Sequence, residues 1–125
     1  MTEGTSGTPA IGDEQLIAAA RSYVEALASH DPSQVPFAVD CTRTELGVKT
    51  GRSGDHLRRS LTSGPQYRVI KYVSDFAPRV ENGVVYSTFY VNVLFGLRSK
   101  VTERFEFNAA GEIVRIVASF GLPRR

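Results

Sequence analysis

Residues 82–95 read NGVVYSTFYVNVLF. Asn-Gly is the pair that a two-residue hairpin turn demands, since both central residues need positive φ. The run behind it is β-branched and aromatic. Val85, Phe89, Val91, Val93 and Phe95 alternate with Tyr86, Thr88, Tyr90 and Asn92, which gives one apolar face and one mixed face. A hairpin needs a strand in front of its turn. Gln66–Phe76 supplies it, everything after Gly64-Pro65 being strand-like. Further on, Gly96–Ser99 turns into KVTERFEFN (100–108), and Ala109–Gly111 turns that run into EIVRIVASF (112–120). Long strands joined by short turns predict an antiparallel meander.

Upstream of the meander the period changes to that of a helix. Leu16, Ile17, Ala20, Tyr23, Val24 and Leu27 form one apolar stripe, with Asp13 placed to cap it and Pro32 to end it. A short second helix is expected near Pro32–Phe37. The segment CTRTELG (41–47) alternates as a strand that breaks at Gly47, and Ser53–Leu61 predicts a short helix capped by Ser53. Residues 1–12 are rich in Gly, Thr and Ser without apolar period and are expected to be a disordered tail. That leaves 13–125 as one domain of the α+β class, its N-terminal helices covering one face of a curved antiparallel sheet and closing a conical pocket.

Composition narrows the function. At 125 residues the chain holds one core, and 42% hydrophobic with 22% charged residues describes a globular protein. The net charge is only +2, and no basic stripe interleaves with aromatics, so nucleic acid is not an expected partner. No transmembrane run and no signal peptide is visible, so no membrane partner and a cytoplasmic location are expected. One cysteine and two histidines do not make a zinc ligand set, and no phosphate-binding or nucleophile-elbow motif is present. Chemistry without metal or cofactor must then come from Asp, Glu, Tyr, Arg or His in a pocket.

Three polar groups fall on core-facing phases. Glu103 is in phase with Val101, Phe105 and Phe107, Glu45 with Cys41, and Tyr23 lies inside its helical stripe. A purely structural interior seldom carries three such groups. Asp40 is better read as a turn residue, His56 as a surface residue and Cys41 as a small buried hydrophobe. Tyr86, Thr88, Tyr90 and Asn92 suit the face of a homodimer.

The same stretches resemble a known family. SYVEALASHD (22–31), TRTELGVKTGRSG (42–54) and FNAAGEIVRIVASFG (107–121) are similar to the nuclear-transport-factor-2-like (NTF2-like, cystatin-like) superfamily with its SnoaL-like members. Within it the bacterial ketosteroid isomerases are the nearest likeness. The resemblance implies the conical fold, a homodimer and a small apolar or steroid-like ligand. It also implies a cofactor-free isomerase in which Glu45 is the base while Tyr23 and a neutral Glu103 hydrogen-bond the dienolate oxygen. Phe105 would border the ligand. The chain departs from the family by carrying Glu at both acid positions and Arg43 on the face of Glu45, where Arg43 would favour ionised carboxylates. Two alternatives follow: an enzyme resembling limonene epoxide hydrolases that uses Arg43 with Glu45 and Glu103, or a non-catalytic ligand-binding or dimerisation module in which Arg43 salt-bridges the carboxylates.

Overall fold

The computed structural model describes residues 11–125. Of the expected tail, residues 1–10 lie outside the described residues, while Ile11 packs on the core and Gly12 caps the first helix. That helix, α1, is Asp13–Ser29, so Asp13 is its first helical residue rather than its cap. Both Asp13 and Glu14 lie in the first turn, where negative charge meets the unpaired N–H groups. The helix closes on His30, whose φ of 61° bends the chain before Pro32. No second helix follows at Pro32–Phe37: that stretch is a turn, and Phe37 already begins a strand.

Strand β1 (Phe37–Glu45) turns through Leu46-Gly47 into the short β2 (Val48–Gly51). Helix α2 is Gly54–Ser63, and the Ser53 hydroxyl accepts the His56 amide as its cap, as the sequence predicts. The expectation of an immediate strand from Gln66 is wrong. Pro65–Arg68 makes one helical turn, α3, with Pro65 at its start. Strand β3 begins only at Tyr72 and runs to Glu81. The Asn82-Gly83 turn is present with both φ values positive, 51° and 77°. It leads into β4 (Val84–Asn92), β5 (Arg98–Phe107) and β6 (Ile113–Phe120). Between β4 and β5 the chain makes a 3-10 turn at Leu94–Gly96, with Phe95 at φ 65°. Phe95 is therefore exposed and not the inward residue that strict alternation predicts.

The sheet has six strands in the order β2-β1-β6-β5-β4-β3. The meander β3 to β6 is antiparallel as expected, but β1 lies parallel to β6, which makes the curved, open sheet mixed. Helix α1 crosses β3 and β4, while α2 covers β1. The core between layers holds Tyr23, Val24, Leu57, Leu61, Phe89, Phe105 and Ile116. On the opposite face the Arg79 and Arg98 guanidiniums lie 4.5 and 4.2 Å over the rings of Tyr86 and Tyr90. Asn92, grouped with that face by its phase, is buried and donates to the Tyr72 carbonyl and Ser74 hydroxyl. Among the described residues no helix is long and apolar enough to cross a membrane.

Candidate functional site

Register places the acids. Glu45 pairs with Ala118, Ala118 pairs with Glu103, and Glu103 pairs with Ser87, so the four form one row across β1, β6, β5 and β4. The two glutamates are separated by one strand, about 10 Å between backbones. Ala118 between them is too small to fill the gap. One row deeper, Arg43 pairs with Ile116, which pairs with Phe105. The chain thus puts its arginine beneath the carboxylates, at the closed end of the cone.

Arg43 is fully buried and almost fully satisfied. Its Nε donates to Thr50 Oγ1 at 3.0 Å, Nη1 to the Tyr23 hydroxyl at 3.2 Å, and Nη2 to the Thr50 carbonyl and Ser60 Oγ, both at 3.2 Å. Its guanidinium also sits 4.7 Å above the Tyr67 ring. Glu45 Oε2 approaches Nε at 3.6 Å, too long for a hydrogen bond but close enough for a strong charge contact. Tyr67 completes the group by donating its hydroxyl to Glu45 Oε2 at 2.8 Å. One oxygen of Glu45 is therefore engaged by two partners.

Glu103 is not the arginine's partner. It is 2% exposed, and its Oε1 is, with His30 Nδ1, one of two buried side-chain atoms among the described residues with no hydrogen-bond partner. Burial, and then the negative charge of Glu45, push its carboxyl up to about 8 against the opposing pull of Arg43. At neutral pH it carries its proton. Burial likewise raises both tyrosines well above the usual phenol value, so Tyr23 and Tyr67 remain proton donors.

Glu45, Tyr67 and Glu103 open onto one cavity of about 560 Å³. Its walls are apolar, with Leu27, Ile70, Val91, Val101 and Ala118 among them. Arg43 does not plug this space but lies behind it. Tyr23 and Phe105 are also behind the wall, stacked edge-on with ring centroids 5.7 Å apart. Neither is among the lining side chains: both are buried, and the Tyr23 hydroxyl accepts from Arg43 Nη1. Tyr67 was not foreseen, because the strand expected from Gln66 would have hidden its helical turn. The Gly64-Pro65 pair, with Pro at a helix start, was the signal that could have exposed it. Cys41 is buried, its thiol pushed up to about 12 by desolvation, and is an inert core residue. His56 is near the surface and serves its own helix cap, its side chain accepting the Arg52 amide.

Two carboxyl groups stand one strand apart on an apolar cavity, Glu45 beside Arg43 and Tyr67 and Glu103 pushed toward its protonated form by burial; such a pair can take a proton at one point and donate a hydrogen bond at another. Among the described residues no cluster of His, Cys, Asp or Glu is arranged to hold a metal ion.

Comparison with known proteins gives the frame. The sequence profile of one family, described as a domain of unknown function, DUF8021, matches residues 12–120. No curated protein sequence matches the chain. Solved structures do. A SnoaL-like protein from Agrobacterium tumefaciens C58, described as a candidate isomerase, superposes with TM-score 0.70 at 13% identity, covering 87% of this chain and 99% of that one. A protein from Kribbella flavida described as a candidate ketosteroid isomerase gives 0.67 at 14%, covering 90% and 82%. The epoxide hydrolase/cyclase-like enzyme SalBIII of salinomycin pyran-ring formation gives 0.65 at 14%, covering 88% and 94%. At such identities the likeness establishes the NTF2-like, SnoaL-like fold and nothing of the chemistry.

Proposed function

We propose, for a chain that belongs to the DUF8021 family and holds two carboxyl groups in different surroundings on one apolar cavity, a cofactor-free acid–base enzyme acting on a neutral apolar molecule. Glu45 moves a proton on the carbon α to a carbonyl. Neutral Glu103 donates its hydrogen bond to the carbonyl oxygen as charge develops there. Tyr67 and Arg43 hold one oxygen of Glu45, whose side chain lines the cavity. The observation that carries this reading is Glu103: a buried, protonated carboxyl whose Oε1 has no partner in the protein is available for one in a ligand. The expected homodimer, through the outer face around Tyr86 and Tyr90, belongs to the same reading.

A second reading rests on the contact between Arg43 and Glu45. A carboxylate beside an arginine is suited to take a proton from water, while Glu103 protonates an epoxide oxygen; water adds across the C–O bond that breaks, giving a diol. The two readings share residues and differ in substrate. The test follows absorbance as a β,γ-unsaturated 3-ketosteroid conjugates, alongside diol formation from an apolar epoxide. Turnover of the ketone should fall by about 10²–10⁴ in Glu45→Gln and by about 10²–10³ in Glu103→Leu. In wild type the rate should decline above about pH 8, as Glu103 loses the proton it donates. Diol without enone would select the second reading, and silence toward both substrates would leave a ligand-binding module.

A further inference from the structure

Among the described residues nine large hydrophobic side chains are exposed, and all but Val39 fall in four segments. These are 46–49, 66–72, 93–99 and 120–125, and each contributes side chains to the cavity wall. Backbone bonds tie three of them together. Lys71 N donates at 2.7 Å to the carbonyl of Asn92, the residue just before 93–99, and Arg98 and Arg124 exchange bonds of 2.8 Å in both directions. Leu46, Val69, Phe120 and Leu122 line the cavity themselves, and Val48, Tyr72, Leu94 and Phe95 stand one or two places along the chain from residues that do, so together they form a collar around its mouth. Its tips project furthest at Phe95, 82% exposed, and Leu122, 88% exposed.

Charge is distributed with the same bias. The four segments contain Lys49, Arg68, Lys71, Arg124 and Arg125, with Arg98 turned to Tyr90 on the outer face, and no acidic residue. Elsewhere the sequence sets the remaining nine Lys and Arg against all 13 Asp and Glu. A nearly neutral protein thus gathers an excess of cations in the same segments that carry the exposed hydrophobics.

We propose that this face docks the cavity mouth on an anionic lipid surface. Phe95 and Leu122 enter the boundary between headgroups and acyl chains, and the cations meet lipid phosphates. Tips on separate loops around an opening suit a fluid surface better than a groove-shaped protein epitope. Two copies of this face would repel each other. Such docking needs no spanning helix, so the sequence-based expectation of no membrane partner is revised on this point alone. An apolar compound dissolved in lipid would enter the cavity without crossing water.

The proposal does not depend on the chemistry inside the cavity, because its test reads binding and not turnover. The protein is sedimented with vesicles of phosphatidylcholine alone and with about one-third phosphatidylglycerol. Binding is expected to the anionic vesicles only, to weaken steeply in high salt, and to drop about tenfold in Phe95→Ser and again in Leu122→Ser. Both positions are solvent-exposed, and circular dichroism verifies that the variants stay folded. Three results would overturn the proposal: no binding to anionic vesicles, equal binding to neutral ones, or wild-type binding by the double variant. A solution mass that falls from dimer to monomer in Phe95→Ser, without vesicle binding, would instead assign the collar to a second copy.

Discussion

Glu103 links the candidate site to stability. Its ordinary value is 4.5, and in the fold it is raised to about 8. The folded protein therefore keeps this proton through a window in which the unfolded chain has lost it. Its contribution is full below about pH 4.5, shrinks as pH rises, and is gone near pH 8, a swing of up to about 5 kcal/mol. Glu103→Gln cannot titrate, so denaturant unfolding should show a stability that declines from about pH 5 to 8 in wild type and stays flatter in the variant. Parallel declines would mean that the carboxyl is solvated. The inward position of Glu103 was legible from the alternation of KVTERFEFN alone. Its protonation does not follow from that alternation and was implied only by the family resemblance, because it depends on how completely β4, β6 and the helices exclude water. The pairing of Arg43 was equally hidden. Sequence phase put it beside Glu45 and the register confirms that, but Thr50, Ser60 and Tyr23, which supply most of its hydrogen bonds, come from three other elements.

At the scale of elements, α2 approaches β1 and β2 so closely that one glycine decides the fit. A Cβ on Gly51 would overlap the Leu57 side chain and stand 3.0 Å from the Cβ of Arg43. Gly51 pairs with Arg43 immediately before the irregularity between Arg43 and Thr44. Gly51→Ala should therefore cost about 1–3 kcal/mol, read as a lower denaturant midpoint at an unchanged slope. An unaltered midpoint would show that α2 can shift freely. Elements with a single strong local signal were legible: α1 from its stripe, α2 from its Ser53 cap, the hairpin from Asn82-Gly83. Those that failed lacked one. Tyr67, Val69 and Ile70 look like strand residues by type, yet the chain must turn there to carry Tyr67 over Arg43. Phe95 continues an apolar alternation, but the chain leaves the sheet at Asn92 to round the mouth.

For the whole molecule the order of helices and strands was enough to anticipate the α+β cone, because each layer has one apolar face to bury. Side-chain periodicity says which face of β1 is inside but not which strand lies beside it, so the parallel neighbour was not visible. That neighbour has a kinetic consequence. Strand β6 is the last to be made, yet it is central, with β1 on one side and β5 on the other. Until it inserts, Glu45 and Arg43 belong to one half of the sheet and Glu103 to the other, with no Ala118 to join them. A ribosome that has released the chain only as far as Gly111 presents two sheet fragments, each with an open edge. The carboxylate pair therefore depends on contacts distant in sequence, and a domain so wired can gather its chemistry only once β6 has been made and has taken its place between β1 and β5.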